Sequence, residues 1–198
     1  MNVAASASVA ENAIVPATAR VWDLAQLRES VVLGENVIIG RGAYLGPGVR
    51  VGDSSKVQND ALIYEPAVLE RGVFVGPAAV LTNDRAPRAV NPDFTQKSHR
   101  DWNAVGVQVR EGAAIGARAV CIAPVEIGAW AMVASGAVVT RDVTSFALVA
   151  GVPARQIGWV GRTGARLQRD AQDTSKLMCP ETGAKFLERN GVLVEADT

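Results

Sequence analysis

From Val9 to Leu81 every sixth residue is Val, Leu or Ile, without a miss. The beat then stops, and it resumes at Val109, Ile115, Cys121, Ile127, Val133 and Val139. A period of six fits neither a helix nor a lone strand. It fits a coil whose flat sides are short strands, each unit stacking on its neighbours. Three such sides close one triangular turn, so a residue should stack on its counterpart three units further along. Val9, Leu27, Leu45, Ile63 and Leu81 then form one aliphatic row. Val15, Leu33, Val51 and Leu69 form a second, and Val21, Ile39, Val57 and Val75 a third. Successive coils should rise by roughly 4.8 Å, the spacing of hydrogen-bonded strands. The predicted fold class is all-β, a parallel β-helix.

Other positions of the unit support the coil. Counted from the aliphatic residue, position five is small or β-branched, as in Ala43, Val49, Ser55 and Ala61, where narrow walls converge. Positions two and four favour Gly, with Asn and Asp also at four, for instance Gly40, Gly116, Asn36 and Asp60. Such residues tolerate the positive φ that a sharp corner can demand.

Lys plus Arg and Asp plus Glu balance at 20 each. That argues against nucleic acid or an anionic membrane as the main partner. No apolar run approaches the roughly 18–20 residues of a membrane span. The N-terminus lacks the basic start of a signal peptide, so a cytoplasmic protein is expected. Cys121 and Cys179 are far apart and His99 is the single histidine, a set without zinc spacing. Cys179-Pro180 resembles half of a zinc knuckle without its second pair, and no metal is expected.

The interruption, about residues 82–108, contains Pro87 and Pro92 and reads as a loop thrown out of the coil. It carries Arg85, Arg88, Lys97 and Arg100 against Asp84, Asp93 and Asp101. Glu65 precedes Asn83 by three whole units, so the two should stack on adjacent coils at the loop's root. Gln58, Tyr64 and Glu70 replace the favoured Gly at position two, with Asn59 and Glu65 beside them. This predicts a cluster of hydrogen-bonding side chains directly below the loop.

The repeat over about residues 9–157 resembles the hexapeptide-repeat acyltransferase family. The resemblance implies a left-handed helix, although general crossover rules favour the right hand. It also implies a homotrimer, with the loop reaching a neighbouring subunit to build active sites between subunits. The ending VASGAVVTRDVTSFALVAGVPARQI resembles the last coil of acetyl-CoA-dependent members. On that resemblance Thr140, Arg141 and Arg155 meet the nucleotide end of the coenzyme. Gly116, Ala134 and Val152, evenly spaced at three units, would form a narrow column for its pantetheine arm. The segments GVFVGPAAVLTNDRAPRAVNPDF, QNDALIYE and CPETGAKFLERNGVL resemble N-acetyltransferases of nucleotide-linked 3-amino sugars. The group resembled most acts on UDP-2-acetamido-3-amino-2,3-dideoxyglucuronate, for bacterial surface polysaccharide. Asp84 after Asn83 resembles a sister group acting on dTDP-3-amino-3,6-dideoxyhexoses, and the sugar stays open between them.

The expected activity is therefore acetyl-CoA-dependent N-acetylation of a nucleotide sugar. An alcohol needs a base before it can attack a thioester, whereas a neutral amine is already nucleophilic. Direct amine attack is expected, with Asn83 orienting and Glu65 and Asp84 assisting by hydrogen bond. Asn59 and Tyr64 are expected to bind substrate, and Arg85, Arg88 or Lys97 to pair with a uronate carboxylate. An O-acetyltransferase using His99 as base is the alternative. Residues 1–158 are expected to form the β-helix domain. Residues 159–198 should form an extension with a small hairpin at Asn190-Gly191, a favoured turn pair.

Overall fold

The computed structural model describes residues 2–196. Two-residue strands pair in parallel with the strand one coil on, Arg20 with Ile38 and Val21 with Ile39 for example. Among the described residues the coil's strands fall into three sheets, of nine, seven and five strands, the ninth of the first being the antiparallel Ala154–Trp159 that follows the coil. We call these faces one, two and three. Face one points Val21, Ile39, Val57, Val75, Ile115 and Val133 inward. Face two points Leu27, Leu45, Ile63, Leu81, Cys121 and Val139 inward, and face three Leu33, Val51, Leu69, Val109 and Ile127. All are at most 2% exposed. Each buried Val, Leu or Ile stabilises by roughly 1.5–3 kcal/mol relative to exposure. Ala25, Ala43, Ala61 and Ala79 are fully buried where the walls converge. Ser55, a buried polar residue at the same position, is satisfied there. Its hydroxyl donates to the Glu70 carbonyl and accepts from the Val73 N–H, both at 3.0 Å.

The corners obey two separate rules. Position four takes a left-handed φ in most coils, as at Asn36, Asp60 and Gly112. Leu24, Ala78, Arg118 and Trp130 take it too, at 54–59°. Stacking register overrides their local preference, at a cost of about 1–2 kcal/mol per residue. Position two selects glycine for another reason than φ. A Cβ at Gly116 would lie 2.4 Å from the Ser135 amide of the coil above, so crowding between coils excludes a side chain.

Two breaks punctuate the coil. Leu69 pairs with Val51 on one side but with Val109 on the other, so the whole loop is inserted between two adjacent coils. That loop closes on itself, because the Asn83 carbonyl accepts from the Val105 N–H at 3.0 Å. Coil phase therefore survives, and Leu81 pairs with Cys121. The second break is a deletion. Ile127 bridges to Val143 and Val133 pairs with Val149, each two positions short of the regular three-unit interval.

Beyond the coil, Ala147–Gly151 turns back antiparallel as Ala154–Trp159. Gln168–Arg169, Lys176–Met178, Lys185–Arg189 and Val192–Glu195 then make a four-stranded antiparallel sheet. Asn190 and Gly191 do form the predicted hairpin turn, both with positive φ. The hairpin is half of a larger sheet than the sequence predicts. Leu177, Phe186 and Leu193 are buried on one of its faces. Phe186 meets Phe146 edge-on at 5.4 Å. Arg162 lies 4.8 Å over the Trp130 ring and pairs with Glu195 at 2.9 Å. The sheet thus packs against the last coils. Among the described residues no helix is long and apolar enough to cross a membrane.

Candidate active site

The candidate site residues sit on the edges of the prism. Pairing of Leu45, Ile63, Leu81, Cys121 and Val139 along face two stacks the corners that follow them. The edge between faces two and three therefore carries Tyr64 and Glu65, then Thr82 and Asn83 with the loop, then Ile122, then Thr140 and Arg141. At ~4.8 Å per coil, Thr140 stands about 14 Å above Tyr64.

Glu65 is the unusual residue of this edge. Its carboxylate folds over Gly46 of the coil below, where a Cβ would lie 2.2 Å from Oε2. Oε2 is buried and has no hydrogen-bond partner among the described residues. A desolvated acceptor without a donor is costly. The Tyr44 and Tyr64 rings lie beside it, 5.3 Å apart. Burial first, then the Glu65 charge, push the Tyr44 hydroxyl above its usual range.

One coil higher, Asn83 is half-buried at the loop's root, as its spacing from Glu65 predicts. Asp84 accepts from the Ala86 N–H at 2.8 Å and shapes the first turn of the loop. Arg88 donates to the Pro87 carbonyl at 2.7 Å. Arg85 and His99 are exposed and Lys97 is half-buried. Among the described residues Arg85, Arg88 and Lys97 form no ion pair.

The polar cluster predicted around residues 58–70 does not assemble. Each unit turns one corner, so Gln58 and Asn59 fall on the edge between faces one and two, Tyr64 and Glu65 on the next, and Glu70 and Arg71 on the third. Asn59 is a corner brace, its Oδ1 accepting from the Arg41 N–H at 3.0 Å. Glu70 is held by Arg110 at 2.8 Å, and that guanidinium also binds Glu126. The Arg110 hydrogen bond keeps the Glu70 carboxyl below its usual range. Only Tyr64 and Glu65 remain under the loop.

At the upper end, Gly116 and Ala134 lie in register on the edge between faces one and two. Val152 does not continue their column. The two-residue deletion puts Ala150 there instead, and Val152 stands 74% exposed in the turn after Gly151. Thr140 is exposed. Arg141 and Arg155 converge on one cleft of about 190 Å³, together with Thr144 and Gln156. Sequence reasoning missed Gly46, Tyr44 and Gln156. Gly46 was legible in principle, since the corner one coil above it carries Glu65. Among the described residues no three His, Cys, Asp or Glu side chains group as metal ligands.

Comparison with known proteins agrees with this architecture. Residues 30–64 and 106–141 match the hexapeptide repeat of succinyl-transferase. A 60-residue stretch is 47% identical to dTDP-3-amino-3,6-dideoxy-alpha-D-galactopyranose 3-N-acetyltransferase of Aneurinibacillus thermoaerophilus, covering 30% of this chain and 31% of that one. Serine acetyltransferase 4 of Arabidopsis thaliana is 34% identical over 123 residues, covering 61% of this chain and 31% of that one. The chain thus spans about a third of the length of the curated relatives it matches. Among solved structures, a hexapeptide transferase family protein from Anaplasma phagocytophilum superposes with a TM-score of 0.53 at 19% identity, over 80% of this chain and 81% of that one. The acetyltransferase domain of PglB from Neisseria gonorrhoeae, solved with acetyl coenzyme A, gives 0.55 at 19% identity, over 78% and 56%. By repeat and by architecture, the chain folds as a left-handed parallel β-helix like that of hexapeptide-repeat acyltransferases.

Proposed function

We propose that the chain is an acetyl-CoA-dependent N-acetyltransferase acting on the 3-amino group of a nucleotide-linked sugar. The observation that carries this reading is the unpartnered Glu65 Oε2 under the loop, on the same edge that leads up to Arg141. Glu65 receives an N–H of the acceptor amine. Asn83, one coil above, orients the amine or the tetrahedral oxygen, and Asp84 holds the turn beside it. The amine lone pair attacks the thioester carbonyl, the carbon–sulfur bond breaks, and the excess amine proton reaches the departing thiolate to give free coenzyme A. Arg141 and Arg155, with Gln156, take the coenzyme's phosphates. Gly116 and Ala134 leave the neighbouring edge flat for the pantetheine arm.

The substrate proposed is UDP-2-acetamido-3-amino-2,3-dideoxyglucuronate. Support comes from Arg85, Arg88 and Lys97, cations without ion-pair partners among the described residues that suit a uronate carboxylate. The second reading is a dTDP-3-amino-3,6-dideoxyhexose, favoured by the 47% identity to a transferase of that class. A homotrimer completes the site. Leu62, Val80, Val120 and Val138 on the outside of face two are half-buried apolar residues suited to packing between copies. The test is thiol release from acetyl-CoA by the purified chain with UDP- and dTDP-linked 3-amino sugars. Turnover with one class and not with its 3-hydroxy counterpart is expected. Turnover only with alcohols, lost in His99→Ala, would replace this reading by O-acetyl transfer.

A further inference from the structure

The loop ends in a feature that amine attack leaves unexplained. Residues 89–97 form a short hairpin. Lys97 N–H donates to the Ala89 carbonyl at 3.1 Å, Val90 bridges Gln96, and Asn91 N–H donates to the Thr95 carbonyl at 2.8 Å. Its tip carries Phe94, 86% exposed and with φ at +65°. A bulky aromatic in the left-handed region is sterically costly. Exposing its ring to water adds to that cost. The tip is nonetheless well ordered by bonds. Asp93 accepts from the Thr95 N–H at 3.0 Å and hydroxyl at 2.6 Å, and Asn91 Nδ2 donates to the Thr95 hydroxyl at 3.1 Å. An organised turn thus holds one aromatic ring outward at a local cost, a pattern found where strain serves function.

The charges beside it indicate what the ring meets. The acids of the loop are engaged with the loop's own donors: Asp84 with Ala86, Asp93 with Thr95, and Asp101 with the Ser98 N–H at 2.7 Å and hydroxyl at 2.8 Å. Its cations Arg85, Arg88, Lys97 and Arg100 form no ion pair among the described residues. Lys97 lies three residues from Phe94 on the returning side of the hairpin, at most roughly 10 Å away along the chain at ~3.3 Å per residue. That span suits a nucleoside diphosphate, with its base on the ring and its phosphates on the cations.

We infer that the hairpin is a nucleotide-recognition arm in which Phe94 stacks on a nucleobase while the adjoining cations hold the diphosphate. The inference deepens the proposed function and rests on it for the ligand's source. Nucleotide sugar and coenzyme A both carry a nucleoside diphosphate. Calorimetric titration of the full chain with UDP, dTDP and coenzyme A separates them. Phe94→Gly suits the φ, so its melting temperature should be equal or higher. Its affinity for one of the three ligands should fall roughly 5- to 150-fold, as when a base–aromatic stack is lost. Phe94→Trp should restore it. A fall for UDP or dTDP assigns the arm to the sugar donor, and a fall for coenzyme A to the acetyl donor. Unchanged affinity for all three in Phe94→Gly overturns the inference, as does wild-type chain that binds none of them. A change of assembly state in Phe94→Gly by sedimentation, with affinities intact, also overturns it and makes the ring a contact between copies. Nucleotide binding that depends on Phe94 in a chain that acetylates no amino sugar would uphold the arm and remove the proposed activity.

Discussion

Gly46 and Gly76 occupy the same position of the repeat, yet the same substitution should do different things to them. At Gly76 a Cβ would lie 2.5 Å from the Ala117 amide and 2.7 Å from the Gly116 carbonyl carbon. Backbone cannot swing aside, so two coils must part, and Gly76→Ala should cost about 1–3 kcal/mol, the usual range for overpacking. For a chain of this size that is a fall of roughly 2–12 °C in melting temperature, at ~2–4 °C per kcal/mol. At Gly46 the 2.2 Å contact is Glu65 Oε2, the free end of a flexible side chain, and the nearest backbone atom is at 3.0 Å. The carboxylate can leave. Replacing Gly at a φ that Ala accepts stabilises by about 0.4–1 kcal/mol through the unfolded chain, so Gly46→Ala should unfold within about 1 kcal/mol of wild type. Its turnover should suffer instead. Loss of a charged hydrogen bond to the reacting amine is worth about 1.5–3 kcal/mol, which is roughly a 10- to 150-fold fall in rate. Denaturant melts and a thiol-release assay on both variants check this. Equal destabilisation of the two would show that Glu65 is locked by the fold. Full turnover by Gly46→Ala and by Glu65→Gln would remove this carboxylate from the chemistry.

Three further outcomes follow from the packing and the ion pairs. Arg162→Ala removes the contact with Trp130 and the pair with Glu195. Amide exchange in residues 185–195 should quicken by the equivalent of about 0.5–2 kcal/mol, the range for cation–π contacts, while the coil's amides keep their protection. Burial pushes the Cys121 thiol up to about 12. Thiol reagents should therefore modify Cys121 only at the rate of unfolding, and because its folded value lies above the unfolded ~8.5, stability from this group is intact below pH ~8.5 and declines above it. Labelling of Cys121 in a folded Cys179→Ala chain at pH 9 as fast as a free thiol would contradict this. Glu70 and Glu111 are held low by their hydrogen bonds to Arg110 and Arg71. Depressed values stabilise above the unfolded carboxylate range and lose that effect as pH falls through the folded values. Melting temperature should thus decline below pH ~4.3, shallowly because these pairs are exposed, and Arg110→Met should flatten the decline.

How much of this is legible in the sequence depends on whether a residue's role is set by its row or by its edge. The aliphatic rows need only the period, and every row residue from Val21 to Leu81 is buried. The stacking of Glu65 beneath Asn83 needs only three whole units with no break between. The polar stretch from Gln58 to Glu70 misleads because proximity in sequence is dispersion in a three-sided coil. Three consecutive units visit three edges, and Asn59 ends as a brace on Arg41. Position-two glycines suggest a demand of φ when the cause is the backbone of the next coil, which no single repeat contains.

The two breaks make the same point about spacing. The insertion after Leu81 is not a whole number of units, yet it leaves all three faces in phase. Its ends meet at one hydrogen bond between Asn83 and Val105, so the coil sees a corner and not a length. The deletion between Val139 and Val143 is far shorter, but it comes out of the perimeter itself, and everything after it shifts against the coil below. That is why the column from Gly116 through Ala134 ends at Ala150 and not at Val152. It is also why Arg155, carried back on the antiparallel strand Ala154–Trp159, comes to share a cleft with Arg141. In such a coil a long insertion can be silent for register while a short deletion is not. Spacing arithmetic therefore holds only between breaks, and the end beyond a deletion has to be read from its own pairing.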